Sequence, residues 1–330
     1  MLHIEGGPMQ SFTGKLAVVT GGGTGMGREL TRQLAAEGCD VAICDVSATN
    51  MADTLAACAT ESPDATVTSF VADVSSEDAL VAFRDHVTAA HATDHLDLLF
   101  NNAGIGGGGS IVGDPRAEWE QVFNVCWGGV YLGVRTFLPL LLRSEEARIV
   151  NTSSVNGFWA TIGPTTAHTA YSAAKFAVKG FSEALITDLA NNAPHVGVSV
   201  VMPGHIGTSI VFNSSSYLGR DPKELDDEQI AQLRERIGAR VDVSGASDED
   251  LRNLMVGMAE GFRDNAPTTA GEAATIILEG VRNGRWRILV GDDAHRLDEA
   301  VRADPEHAYT AEFLDRLRAQ GVFAAMPQSG

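Results

Sequence analysis

The stretch Lys15-Leu-Ala-Val-Val-Thr20-Gly21-Gly-Gly-Thr-Gly25-Met-Gly27 decides the fold. Five apolar or β-favouring residues lead straight into a glycine cluster, and the period then changes to that of an amphipathic helix, over about 28–37. Small residues between a strand and a helix let the backbone approach a pyrophosphate, and the helix N-terminus favours the anion. Gly21, Thr24, Gly25, Met26 and Gly27 are the candidate phosphate contacts. The next apolar run, 40–44, ends at Asp45, eighteen residues after Gly27. An acid at the end of a second strand can accept hydrogen bonds from both adenosine ribose hydroxyls and would repel a 2′-phosphate. No Arg or Lys lies within 21–27, and Val46 follows Asp45, so NAD is expected rather than NADP.

Outward from that unit the rhythm continues. Strands are expected at 66–72, 96–100, 148–152, 196–202 and, much later, 286–290. Helices are expected at 50–60, 76–90, 115–142 and from Tyr171 to about 191. Short apolar strands alternating with helices imply a parallel sheet covered on both faces. The fold class is α/β: a Rossmann-type, doubly wound, mainly seven-stranded parallel sheet with helices on both sides. Residues 210–266 break the rhythm. They are polar and acidic, with helical patches at 228–237 and 248–262, and read as a helical lid over the C-terminal strand edge. Residues 11–330 thus form one catalytic domain, with a partly helical tail at 291–330 and a disordered extension at 1–10.

Composition narrows the partners. The 330 residues carry 24 basic and 43 acidic groups, a net charge of -19, and 44% of them are hydrophobic. That argues against nucleic acid or an anionic membrane, which need a basic face. The longest apolar run, 130–142, contains Arg135 and Pro139 and is too short to span a bilayer. Residues 1–14 lack a basic segment followed by an apolar one, so they do not read as a secretory signal. Cys39, Cys44, Cys58 and Cys126 have no metal-type spacing, so reduced buried thiols in a cytoplasmic protein and no metal are expected.

A second stretch carries chemistry. In Tyr171-Ser-Ala-Ala-Lys175 the Tyr and Lys lie one turn apart on the same helix face. A free tyrosine titrates near pH 10, and lowering that by 3 units takes roughly 4 kcal/mol of differential interaction. A buried Lys and one further cation nearby could provide it, giving a general acid/base near neutral pH. A bare Tyr-x-x-x-Lys is common on amphipathic helices; its meaning here comes from its company.

With all these motifs in order, the chain resembles the short-chain dehydrogenase/reductase family over about 11–202, and more loosely to 290. Thr-Gly-x-x-x-Gly-x-Gly matches Thr20, Gly21, Gly25 and Gly27. Asp73-Val74 matches the pair that flanks the adenine. Asn101-Asn102-Ala103-Gly104 matches the Asn-Asn-Ala-Gly signature, Ser153-Ser154 the serine pair, and Pro203-Gly204-His205-Ile206-Gly207-Thr208 the Pro-Gly-x-x-x-Thr segment. Asn124, in Phe-Asn-Val, is matched to the family's active-site Asn.

The resemblance implies an NAD-dependent oxidoreductase that interconverts a secondary alcohol and a ketone by hydride transfer. Tyr171 would be the general acid/base and, like Lys175, part of the cofactor site. Lys175 would lower its pKa and bind the nicotinamide ribose. Ser154 would hydrogen-bond the substrate oxygen, and Asn124 would hold a water linking Lys175 to solvent. Asp73, Val74, Asn102, Ala103, Gly104, Pro203, Gly204, Ile206 and Thr208 would complete the cofactor site. Members commonly form dimers or tetramers through the long helices, here with Val122, Val130, Phe176 and Phe181 as apolar positions. The loop between Ser154 and Tyr171 is longer than is usual for the family. Its Phe158, Trp159, Pro164, Thr165, Thr166 and His168 are expected to line the pocket, with His205 as a further candidate substrate contact. Together with Val211, Phe212, Tyr217 and Leu218 of the lid they suggest a mainly apolar, medium or bulky substrate. A dinucleotide-binding regulatory protein without turnover, and a nucleotide-sugar epimerase or dehydratase, are the alternatives. The full set Asn124, Ser154, Tyr171 and Lys175 speaks against the first, and the glycine spacing against the second.

Overall fold

The computed structural model describes residues 7–162, 167–238 and 242–322. In chain order these form β1 (Leu16–Thr20), α1 (Gly25–Ala36), β2 (Asp40–Asp45), α2 (Ala48–Glu61), β3 (Val67–Val71) and α3 (Glu77–Ala90). Next come β4 (Leu98–Asn101), α4 (Arg116–Phe123), a π-helical turn (Asn124–Gly128), α5 (Gly129–Leu141), β5 (Ala147–Thr152) and α6 (Thr169–Asn192). β6 (Val196–Pro203), β7 (Ile206–Gly207), α7 (Ile210–Tyr217), α8 (Asp227–Gly238) and α9 (Asp248–Asp264) follow. The chain closes with β8 (Thr268–Thr269), α10 (Ala270–Arg282), β9 (Arg287–Val290), α11 (Asp292–Ala303) and α12 (Ala311–Ala319).

Seven strands make one sheet in the order β3-β2-β1-β4-β5-β6-β9, every pair parallel. Alternate residues of a strand point to opposite faces, and the cores divide accordingly. Val18, Ala42, Leu99, Ile149 and Val198 face α3, α5 and α6 through Phe83, Phe137 and Ala174. Val19, Val41, Leu98, Phe100 and Val201 face α1 and α10 through Leu30, Leu34, Ile277 and Val281. Strand order reverses between β1 and β4, so the ends of these two strands diverge and open a crevice at the carboxyl edge, where ligands bind in such sheets.

Several expectations are corrected here. Residues 7–10 are not a disordered extension: Met9 is fully buried and the Gly7 carbonyl accepts a hydrogen bond from Arg148 at 3.0 Å. Residues 1–6 lie outside the described part. The segment after β9 is partly helical, as expected, with α12 at the expected 311–319. α11 and α12 bury Leu297, Phe313, Leu314 and Leu317 around Val155 and Trp159, in a third core. α8 and α9 form their own small core from Leu225, Ile230, Leu233 and Leu251. Of the apolar positions expected on pairing faces, Val122 and Val130 are buried inside the chain, and Phe181 packs edge-on against Trp127. Phe176 is 42% exposed.

Candidate active site

The glycine loop shows why it must be built from small residues. A Cβ on Gly27 would lie 2.0 Å from the Gly21 carbonyl, and one on Gly21 would lie 2.9 Å from Ala103 Cα. Gly21 and Gly25 have positive φ, 67° and 53°, a region that glycine enters without penalty. α1 then starts with no side-chain cap from Thr24 and no acid in its first turn. α2, α3, α9, α10 and α12 are each capped by Ser or Thr. The uncapped amides and the positive end of the α1 dipole therefore suit a pyrophosphate.

The rest of the crevice forms around this loop. Thr20 Oγ1 accepts from the backbone N–H groups of Asn102 and Ala103 at 3.0 and 3.1 Å, and Asn102 Nδ2 donates to the Thr20 carbonyl. These bonds lock the end of β4 to the end of β1. Asn101 Nδ2 is tied to Asn151 Oδ1 and serves the sheet rather than a ligand. Asp45 Oδ2 accepts from Gly23 N at 3.1 Å and Oδ1 from Ser47 N at 3.0 Å, which fixes the carboxylate at the end of β2, while Val46 beside it is 50% exposed. Arg28, beyond the glycine loop, donates to the carbonyls of Gly23 and Asn50. Asp73 takes the N–H and hydroxyl of Ser75 on one oxygen and the Tyr217 hydroxyl on the other, and Val74 is buried next to Gly129. Thr208 lies against Gly25, and Ile206 pairs with Thr268 in the small β7–β8 sheet. Gly204 has room for no side chain, because a Cβ would meet the Asp293 carboxylate; the preceding Pro203 ends β6.

α6 brings Tyr171 and Lys175 to the end of β5. Lys175 Nζ donates to the Thr152 carbonyl at 2.9 Å and lies 5.3 Å from the centre of the Tyr171 ring. Ser153 Oγ donates to the Lys175 carbonyl, pinning the helix to the strand. Ser154 Oγ accepts from Asn156 N at 3.1 Å and lies close enough to the Tyr171 phenol to favour its ionised form slightly. Burial dominates the electrostatics. It raises the Tyr171 pKa well above the usual tyrosine value, outweighing the influence of Ser154, and it lowers that of Lys175. The expected depression of the Tyr171 pKa is thus absent from the protein alone: both groups are pressed towards their neutral forms. The His168 ring sits 4.7 Å from that of Tyr171, and burial pushes its pKa down to about 4.

Four expected residues are placed elsewhere. Asn124 begins the π-turn and is exposed, so it does not face Lys175. Cys126, two residues on, points inward instead: it is fully buried and its Sγ lies 3.1 Å from the Ile105 carbonyl. A Cβ on Gly104 would come within 3.5 Å of Lys175 Nζ and 3.7 Å of Cys126 Sγ, so these two groups border one space. A helical periodicity cannot reveal this, because a π-turn rotates every following side chain. Trp159 is fully buried against Phe313 and donates to the Ala308 carbonyl at 2.7 Å, and Phe158 packs beneath Arg287. Both aromatics therefore face the C-terminal helices. Pro164, Thr165 and Thr166 lie outside the described residues. His205 is buried: its N–H donates to Asp293 at 2.7 Å and its Nε2 is 2.7 Å from the Phe262 carbonyl, so it anchors α9.

α7 meets the crevice. Asn213 Nδ2 donates to Thr24 Oγ1 at 2.8 Å, Ser214 Oγ accepts from Gly106 N at 2.7 Å, and Tyr217 donates to Asp73 at 2.7 Å. Among the described residues no cluster of His, Cys, Asp and Glu could hold a metal ion, and no helix is long and apolar enough to cross a membrane.

Residues 15–217 match the family model described as short chain dehydrogenase. Over 253 residues the chain is 34% identical to SadH of Mycobacterium tuberculosis (strain H37Rv), covering 76% of this chain and 88% of that one. It is 33% identical over 230 residues to levodione reductase of Leifsonia aquatica, covering 68% and 81%. Among solved structures, a short chain dehydrogenase/reductase from Burkholderia phymatum in complex with NAD superposes with a TM-score of 0.70 at 28% identity, over 90% of this chain and 96% of that one.

Proposed function

The chain belongs to the short chain dehydrogenase family, and from that premise we propose that it interconverts a secondary alcohol and a ketone by hydride transfer, with NAD as cofactor. The observation that carries the reading is the convergence of Ser154, Tyr171 and Lys175 at the end of β5, beside the uncapped start of α1. When bound, the nicotinamide supplies or accepts the hydride. Gly21, Gly25 and Gly27 with the α1 amides hold the pyrophosphate, Asp45 the adenosine ribose, and Thr208 the carboxamide end.

Tyr171 Oη gives a proton to a carbonyl oxygen, or takes one from an alcohol, while Ser154 donates a hydrogen bond to the same oxygen. A phenol whose pKa is raised by burial is suited to the donor role. For the acceptor role the phenolate needs positive charge nearby, which the Lys175 ammonium and an oxidised nicotinamide provide. Preference for NAD over NADP is supported by the Asp45 carboxylate, which would repel a phosphate, and by Arg28, whose Nε and Nη2 donate to the Gly23 and Asn50 carbonyls. Val211, Phe212 and Leu218 of the lid support a mainly apolar, medium or bulky substrate. A relative named levodione reductase agrees with a carbonyl as the oxidised partner. All four cysteines are free and buried, in keeping with a cytoplasmic protein, and Phe176 offers apolar surface for a homo-oligomer.

The test is NADH formation at 340 nm, with NAD+ and NADP+ offered separately against secondary alcohols from small aliphatic to aromatic, terpenoid and steroid. Turnover with NAD+ and a bulky alcohol is expected. Turnover with NADP+ alone would overturn the role of Asp45, and preference for small sugars or 3-hydroxyacyl thioesters would overturn the substrate class.

A further inference from the structure

We propose that Cys126 is a positioning residue for the Tyr171–Lys175 pair: its thiol forms the weakly polar wall of the space into which the Lys175 ammonium projects. The inference rests on the function proposed above for Tyr171 and Lys175, and four observations carry it.

The π-turn Asn124–Gly128 closes with the Gly129 N–H donating to the Asn124 carbonyl, five residues back. It leaves Asn124 exposed and turns Cys126 fully inward. Cys126 and Lys175 flank Gly104, as the short approaches to a Gly104 Cβ show. Cys126 Sγ donates its proton to the Ile105 carbonyl, and its sulfur is at best a weak acceptor for a cation. No side-chain amide takes its place. Asn101 donates to Asn151 with its own oxygen turned to Gly133, Asn102 donates to the Thr20 carbonyl with its oxygen buried and unpartnered, and Asn156 donates to the carbonyls of Trp159 and Thr161. Lys175 Nζ is hydrogen-bonded to the Thr152 carbonyl.

Among the described residues, the titratable groups around Lys175 are Tyr171 on its own helix and Cys126 on the π-turn. β5 contributes the Thr152 carbonyl, with the Ser154 hydroxyl following it, and the loop after β4 contributes backbone. His168 faces Tyr171 from the start of α6. An ammonium so poorly solvated gives up its proton more readily than one facing an amide oxygen. Replacing the thiol by an amide should therefore favour the ammonium, and through it the Tyr171 phenolate.

The chain has four lysines, Lys15, Lys175, Lys179 and Lys223, so carbon-13 labelling at lysine Cε yields a titration by NMR that needs no substrate. Lys175→Met assigns the signal. The expected result is that Cys126→Asn raises the Lys175 pKa by about one unit or more, tenfold in the proton equilibrium, and that Cys126→Ser, nearly isosteric, raises it by about half as much. The alkaline-favoured limb of kcat/KM for alcohol oxidation moves to lower pH in the same order. Titrations within about 0.2 unit of wild type in both variants, at unchanged Tm, would overturn the proposal and leave Cys126 a packing residue. If Cys126→Asn does not fold, Cys126→Ser decides. If wild type oxidises no alcohol, the functional reading falls, and the NMR titration still judges the thiol.

Discussion

The Tyr217 hydroxyl donates to Asp73 Oδ2 at 2.7 Å, while the other oxygen of Asp73 is held by Ser75. A residue expected beside the adenine is thus occupied by Tyr217 of α7. Tyr217→Phe removes one hydrogen bond, a change of about 0.5–1.5 kcal/mol. If Tyr217 competes for Asp73, dinucleotide Kd falls by roughly two- to tenfold in calorimetry. A weaker Kd would instead make Tyr217 part of the bound state.

Tyr171→Phe keeps the ring and removes the proton carrier. Turnover is expected to fall by roughly 10²–10⁴-fold, with dinucleotide affinity unchanged by fluorescence titration. Residual activity near the wild-type level would take Tyr171 out of the reaction.

His168 has a pKa lowered by burial to about 4, against an ordinary value near 6.5. The unfolded chain therefore binds this proton more readily than the folded one. The associated stability is complete above about pH 6.5 and is lost as the pH falls from there towards 4. His168→Phe should flatten the dependence of Tm on pH within that window and leave it unchanged above pH 7. An unchanged slope between pH 4 and 6.5 would refute the assignment.

Trp159→Ala opens a cavity between the serine loop and α12 and leaves the Ala308 carbonyl without its donor. A loss of about 3–5 kcal/mol is expected by urea unfolding, with Trp159→Phe costing less. If Trp159 lined a substrate pocket instead, the change would appear in KM and hardly in stability.

The sheet was legible because parallel strands buried on both faces read as short apolar runs. Each of the seven main strands lies within two residues of its expected limits, from β1 to β9. The cofactor crevice was legible for a related reason: glycines at Gly21, Gly25 and Gly27 answer to local backbone geometry. What could not be read was direction. Trp159 and His168 lie on one loop, yet the first faces α12 and the second faces Tyr171. Asn124 and Cys126 lie two residues apart, and a single π-turn decides which faces the lysine. The two-stranded β7–β8 sheet escaped notice because strands of two residues have no periodicity to detect.

The third core has a consequence for synthesis. Every motif residue of the site has been synthesised once Thr208 is joined to the chain. The loop that follows Ser154 still lacks its backing, because Trp159 closes against Ala308 and Phe313. A nascent chain thus carries a complete set of reacting groups on an unfinished support, and domains emerge from the N-terminus first. A chain interrupted before α12 would retain the glycine loop and the Tyr171–Lys175 pair, but the loop after Ser154 would lack the packing of Trp159 on Phe313.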